Sequence, residues 1–228
     1  MIADDQKRIA GEAAALRVEP GMVVGLGTGS TAAWFVKALA ARGLSGLRCV
    51  PTSEATAELA RSLGLTMATL EDVSRIDLTV DGADEIGPGL ALIKGGGAAL
   101  LREKLVWEAS ERCIVIADAA KVVKTLGAFP LPIEVVAFGH KTTGNRIADV
   151  LIDHDIAMPA RVRTADRGLV RTDGGNLIYD AACKAIHEPA RLADDLKLIT
   201  GVVEHGLFLD LADEAIVGTD SGVEVLAP

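Results

Sequence analysis

Residues 22–42, MVVGLGTGSTAAWFVKALAAR, constrain the fold most: a short apolar run passes through a glycine turn straight into a helix-forming segment. MVVGLG (22–27) reads as a short buried strand and STAAWFVKALAAR (30–42) as a helix, with Ser30 or a neighbour at its N-cap and Gly43 ending it. The pattern repeats along the chain. LRCVP (47–51) precedes SEATAELARSLG (53–64), and RIDLTVDG (75–82) is followed by a glycine triplet and a helix over 98–111. RCIVIAD (112–118) is again an apolar strand. A helix over 4–17, with Ile9, Ala13 and Leu16 on one face, stands in front and ends before Pro20-Gly21. Apolar strands alternating with helices predict an α/β fold with a doubly wound, mainly parallel Rossmann-like sheet, because crossover helices cover both faces of such a sheet.

The pattern changes near FPLPIEVV (129–136), where two prolines flank the junction. Beyond it we read a strand at 132–137, a helix at 142–154, a strand at 159–164, a turn at 172–175 and a strand at 176–180. A helix at 188–197 with Pro189 in its first turn and a strand at 201–205 complete the series. That βαββαβ order predicts a second, smaller ferredoxin-like α+β domain. The tail 207–226 returns to strands around TDSG and is expected to rejoin the first domain. The expected division is therefore 1–128 plus 206–228, and 129–205.

Composition limits the function classes. A net charge of -9 argues against a general nucleic-acid binder, whose footprint is basic. It does not exclude an anionic small substrate, because a local group of lysines and amides can oppose the global field. With only 3% aromatic residues, Ala, Val, Leu and Ile must fill the core. Cys49, Cys113 and Cys183 lie far apart with no CxxC, as expected of reduced, buried thiols in a cytoplasmic protein. The N-terminus alternates charge with alanine, unlike a signal peptide, and no apolar run is long enough to span a bilayer.

Four motifs carry candidate chemistry. In GLGTGST (25–31) the glycines allow a tight turn, and exposed amides with the Thr28, Ser30 and Thr31 hydroxyls at a helix N-terminus form an anion cradle. An ordinary strand–helix turn explains the same residues. The dinucleotide fingerprint needs Gly or Ala where Ser30 stands and an acid ending the second strand, where CVPTS has none. In PTSEAT (51–56), Thr52 or Ser53 serves as an N-cap, and the turn lines the same crevice without a catalytic role. In DGADE (81–85), Asp81 and Asp84 sit at the carboxyl end of a strand, suited to proton handling or hydroxyl binding, or to a hydrogen-bonded turn. None of His140, His154, His187 and His205 falls in these loops, which argues against a metal.

KGGGAALLREK (94–104) says most. Three consecutive glycines cost flexibility unless the backbone must approach something closely, and Lys94 beside them adds a compact positive charge. In the helix that follows, Leu100, Glu103 and Trp107 share a stripe, while Lys104, Glu108 and Glu111 form a different, solvated one. Desolvation of Glu103 would raise its pKa toward the range of a general base. A structural ion pair with Lys94 or Arg102 is the alternative account of a buried glutamate. Donors, a lysine and a desolvated carboxylate suit proton abstraction beside a carbonyl. Lys121 and Lys124, in ADAAKVVKTLG (117–127), read as surface lysines, although Lys121 at a strand's carboxyl end is placed to complete an anion site.

Together GLGTGST, PTSEAT, DGADEI, KGGGAALLREK, DAAKVVKTLGAFPLPIEV and TDGGN…GVVEHGLF, in this order and spacing, resemble ribose-5-phosphate isomerase of the A type. The resemblance implies aldose–ketose isomerisation of ribose 5-phosphate and ribulose 5-phosphate in the pentose phosphate pathway, with no cofactor and no metal. It implies that Glu103 is the general base, and that Asp81, Asp84 and Lys94 handle ring opening, hydroxyl protons and enediolate charge. Thr28, Gly29, Ser30, Thr31, Gly82, Ala83, Gly95, Gly96, Gly97 and Lys121 match substrate and phosphate contacts, with Lys7 a further candidate. It also implies a cytoplasmic homo-oligomer, dimer or tetramer, in which the small domain mediates assembly, without nucleic-acid or membrane partners. Ala120, Thr200 and His205 depart from the family's usual serine, proline and asparagine, outside the catalytic words. A sugar-phosphate sensor domain would need a DNA-binding segment for which the single helix before MVVGLG leaves no room. A nucleotide-linked dehydrogenase is disfavoured by Ser30.

Overall fold

The structure is a computed structural model and describes residues 2–166 and 168–228. The chain begins α1 (Ala3–Ala15), β1 (Val23–Leu26), α2 (Ser30–Ala41), β2 (Arg48–Pro51), α3 (Glu54–Ser62) and β3 (Leu78–Gly82). Two short strands follow, β4 (Glu85–Ile86) and β5 (Leu92–Ile93), then α4 (Leu100–Glu108) and β6 (Cys113–Asp118). Next come β7 (Leu131–Val135), α5 (His140–Asp153), β8 (Ala160–Val162), β9 (Thr164–Ala165), β10 (Gly168–Leu169) and β11 (Leu177–Ala181). The chain closes with α6 (Pro189–Lys197), β12 (Val202–His205), β13 (Leu207–Phe208), β14 (Glu214–Thr219) and β15 (Gly222–Leu226). Among the described residues no helix is long and apolar enough to cross a membrane.

The chain forms two compact units, one of Met1–Ala83, Arg102–Val122 and Asp210–Pro228, the other of Asp84–Leu101 and Val123–Leu209. This division differs from boundaries at 128/129 and 205/206, and the reason is strand pairing. β4, β5 and β13 form an antiparallel sheet of their own, in the order β13-β5-β4, so the hairpin of β4 and β5 is joined through Leu92 and Ile93 to Leu207 and Phe208.

In the first unit a six-stranded sheet runs β2-β1-β3-β6-β14-β15, parallel except for β15 against β14. The tail thus joins the first unit's sheet, with Thr219 opposite Gly222 at the turn. Every residue of β1 and β6 is buried, as expected of strands covered on both faces. The core joins Val24 and Leu26 of β1, Phe35 and Leu39 of α2 and Ile114 and Ile116 of β6.

The second unit contains a four-stranded antiparallel sheet in the order β12-β7-β11-β8. Numbered along the βαββαβ segment this is 4-1-3-2, the ferredoxin-like arrangement. Leu131, Ile133 and Val135 of β7 pack with Ile147 and Leu151 of α5 and Leu192 and Leu196 of α6. The Glu85 carboxylate, 3% exposed, accepts hydrogen bonds from the backbone amides of Gly127 (2.7 Å) and Phe129 (2.5 Å). It thereby satisfies two backbone donors of the segment that leads into the proline junction.

Cys49, Cys113 and Cys183 are free and buried. Burial pushes the Cys49 and Cys183 thiols up to about 11, and that of Cys113 to about 12 with help from Asp213. A thiol whose pKa is higher folded than unfolded keeps its proton longer in the folded state, so the unfolded state gains from alkali. Its stabilising contribution is complete below the ordinary thiol pKa of about 8.5 and is lost as pH rises from there through the folded value. The urea midpoint should therefore fall between pH 8 and pH 10.5, and a thiol reagent at pH 8 should label the native protein hardly at all but all three cysteines after unfolding. Rapid native labelling would contradict the assigned burial.

Candidate active site

In the first unit the sheet order reverses between β1 and β3, which send their crossovers to opposite sides, and ligands of such sheets bind beyond the carboxyl ends at that point. β1 leaves through Gly27, Thr28 and Gly29 into α2. Gly29, not Ser30, is the N-cap, at φ 107° and ψ 179°, a conformation nearly confined to glycine, and no side chain caps the helix. Ser30 is the first helical residue, and its Oγ accepts a hydrogen bond from Lys7 Nζ at 3.1 Å. An ammonium group therefore stands beside a helix N-terminus, where dipole and amides already favour an anion.

Asp81, next to last in β3, is fully buried. Its Oδ1 accepts from the amides of Thr28 (3.0 Å) and Gly82 (2.7 Å), tying β3 to the loop after β1. The loop passes so close that a Cβ at Gly27 would lie 2.1 Å from Asp81 Oδ1 and 2.5 Å from Asp81 Cα. Gly82 and Ala83 follow half-buried, with Gly82 near Thr28 and Thr31.

PTSEAT braces this loop. Ser53 caps α3 by accepting from the Thr56 amide at 3.1 Å. Thr28 Oγ1 meets Thr52 Oγ1 at 2.7 Å and donates to Ser53 Oγ at 2.8 Å. Thr52 Oγ1 and Thr56 Oγ1 donate to the carbonyls of Leu26 (3.1 Å) and Gly27 (2.9 Å). The sequence narrowed the cap to Thr52 or Ser53; the choice of Ser53 and the bracing of Thr28 needed the tertiary structure. Lys121 lies half-buried in a 3-10 turn, Ala119–Lys121, at the carboxyl end of β6, next to β3 in the sheet. Asp118 caps that turn, its Oδ1 accepting from the Ala120 amide at 3.1 Å.

Glu103 is 4% exposed on α4, and Leu100 and Trp107 of the same stripe are also buried. Arg102, a possible partner by sequence, donates to Glu54 Oε1 at 2.9 Å. Lys104 corrects the reading of a solvated stripe: it is 8% exposed. It shares a face with Leu100 and Trp107 by i−4 and i+3 spacing, so burial of that face takes the lysine with it. The helix also starts later than position 98, because Ala98 has φ 57°, outside the right-handed region.

In the second unit, Asp84 Oδ2 accepts from the Gly96 amide at 2.8 Å. A Cβ on Gly96 would lie 2.7 Å from Asp84 Oδ1, so the second glycine of the triplet allows that approach. The Ala98 amide donates to Gly95 O at 3.0 Å and closes a turn over Gly96 and Gly97. Lys94 is 2% exposed, with Nζ 5.3 Å from the centre of the Phe208 ring, a cation–π contact that sequence spacing does not reveal. Its amide donates to Gly206 O at 2.9 Å, fixing the lysine on the β13 side of the small sheet. Among the described residues no three His, Cys, Asp or Glu side chains are grouped to hold a metal ion. Within the first unit lie an anion cradle and two buried carboxylates; within the second lie a buried cation, a carboxylate and a turn of backbone donors.

Residues 48–222 match the model of the family described as ribose 5-phosphate isomerase A (phosphoriboisomerase A). The chain is 72% identical to a ribose-5-phosphate isomerase A of Caulobacter vibrioides, over the whole of both proteins. Its fold is similar to that of a D-ribose-5-phosphate isomerase solved in complex with phospho-erythronic acid, with TM-score 0.93 and 40% identity over all of both chains. The ribose 5 phosphate isomerase A of Neisseria gonorrhoeae superimposes with TM-score 0.92 at 36% identity, covering 100% of this chain and 98% of that one. With a family model spanning most of its length and a relative this similar from end to end, this chain belongs to the ribose 5-phosphate isomerase A family.

Proposed function

We propose that this isomerase interconverts D-ribose 5-phosphate and D-ribulose 5-phosphate through an enediolate, with Glu103 as the base and without a metal, as a step of the pentose phosphate pathway. The observation that carries the reading is Glu103 itself: a carboxylate 4% exposed on the helix that follows the lysine–glycine turn. In the open-chain aldose, Glu103 takes the proton from C2. The C2–H electrons form the C1–C2 double bond, and the carbonyl pair moves to O1. Return of that proton from Glu103 to C1, with transfer of the O2 proton to O1 and the O2–H pair closing the C2 carbonyl, gives the ketose. Lys94 and the amides of Gly95, Gly96 and Gly97 are assigned to the oxygen charge, where preorganised donors act most strongly. Asp81 and Asp84 are assigned to ring opening and hydroxyl protons. The α2 N-terminus, Thr28 to Thr31, Lys7 and Lys121 are assigned to the phosphate. The phospho-erythronic acid bound to the related isomerase is an acid sugar phosphate, which suits these assignments.

The test is formation of ribulose 5-phosphate from ribose 5-phosphate by purified protein in excess EDTA. Turnover should persist in the chelator, and activity lost there but restored by a divalent cation would overturn the metal-free mechanism. The same reading makes the protein a cytoplasmic homo-oligomer assembled through the segment 129–205. Light scattering after size exclusion should give a dimer or tetramer, and a monomer at assay concentration would remove that part.

A further inference from the structure

Arg163, between β8 and β9, is not among the family words, and its side chain reaches the glycine turn. Nη1 donates to the carbonyls of both Gly95 and Gly96, each at 3.0 Å. Nε and Nη2 grip Asp180 of β11, Nε donating to Oδ2 at 2.8 Å and Nη2 to Oδ1. The backbone is also fixed: the Arg163 amide donates to Ile178 O at 2.7 Å and its carbonyl accepts from the Val170 amide at 3.0 Å. Neighbours Val162 and Tyr179 point into the core beneath the helices, so strand alternation turns Arg163 and Asp180 to the opposite face.

Peptide planarity carries the consequence. Among the described residues no peptide bond is cis, so each carbonyl points opposite to the amide of the next residue. Fixing Gly95 O toward Arg163 turns the Gly96 amide the other way, where it meets Asp84. Fixing Gly96 O turns the Gly97 amide to that same side, and among the described residues this amide donates to no group. A turn of three glycines is otherwise free to reorient both peptides. We propose that Arg163, held by Asp180, is a positioning residue that aims the Gly96 and Gly97 amides, so that turnover depends on a guanidinium that itself touches no substrate. The inference rests on the isomerase reading above, in which this turn holds oxygen charge.

A guanidinium has the donors for a two-point grip on a carboxylate plus two carbonyls; an ammonium lacks that planar fork. The test compares wild type, Arg163→Ala, Arg163→Lys and Asp180→Asn with ribose 5-phosphate, alongside melting temperatures. Losing a single oxyanion donor costs about 10²–10³ in kcat, and misaiming one costs less. We expect kcat of Arg163→Ala to fall about 10- to 100-fold with KM within about threefold, Arg163→Lys and Asp180→Asn falling between it and wild type. A purely structural role would lower the melting temperature and leave kcat per folded molecule unchanged. Folded Arg163→Ala with kcat within twofold of wild type would overturn the inference. If that variant does not fold, Arg163→Lys and Asp180→Asn decide by the same criterion. Inactive wild type would overturn the isomerase reading itself, whereas active wild type with unaffected variants overturns this inference alone.

Discussion

Replacing Glu103 with glutamine should lower kcat by about 10³-fold, within the 10²–10⁴ range of a lost general base, while substrate binding changes little. Glutamine keeps the shape of the side chain on α4 and removes only the ability to take a proton. Glu103 is 4% exposed in a stripe with Leu100 and Trp107, so a neutral isostere imposes no extra desolvation cost and folding should survive. Glu103→Asp keeps the charge but withdraws the carboxylate by one methylene, and misplacement on that scale costs about 10². The two variants separate charge from position, provided that kcat and KM are measured with melting temperatures. Exchange of the substrate's carbon-bound hydrogen with solvent should disappear in step with turnover. Glu103→Gln retaining kcat within tenfold of wild type would remove the base assignment and leave Glu103 a structural carboxylate.

A large structural effect is expected from Gly27→Ala. The added methyl would sit 2.1 Å from Asp81 Oδ1, 2.3 Å from its Cγ and 2.5 Å from its Cα. A side-chain rotation can remove the first two collisions but not the third, because Cα belongs to β3. The strands cannot separate freely either, since the Gly27 amide donates to Val80 O at 2.9 Å. Alanine would gain up to about 1 kcal/mol by restricting the unfolded chain. Overpacking a closed site costs about 1–3 kcal/mol and sometimes more, so the collision wins. With a net loss of about 2 kcal/mol we expect a melting temperature lower by about 4–8 °C, since about 2–4 °C accompanies each kcal/mol in a chain of this size. The shift also pulls Asp81 from the Thr28 amide and disturbs the cradle before α2, so KM should rise at least about tenfold. Wild-type stability together with wild-type KM would show that the close approach of β1 and β3 has no energetic role.

Much of this molecule is written locally. The apolar runs at 22–27, 47–51, 75–82 and 112–118 became β1, β2, β3 and β6 because each carries adjacent buried residues on both faces of the sheet and ends at a turn or cap. The βαββαβ pattern after the prolines became the 4-1-3-2 sheet because alternation and amphipathic helices specify its covered face. Two-residue strands carry no such period. β4, β5 and β13 owe their existence to partners far away in sequence, and through them 84–93 falls into the second unit. The solvated-stripe reading of Lys104 failed for a similar reason, since residue type suggests exposure but the packing around a helix decides it.

The candidate site divides the same way. Sequence alone placed these residues near strand ends and helix starts, because glycine turns, aspartates and a lysine–glycine run are local words. Only tertiary structure decided what each one meets: Asp81 accepts the Thr28 amide, PTSEAT braces Thr28, Lys94 lies over Phe208, and Arg163 holds carbonyls 67 and 68 residues away. A side chain's choice of a distant backbone carbonyl leaves no periodicity in the sequence; it is set when the strands pair and fix where each group can reach.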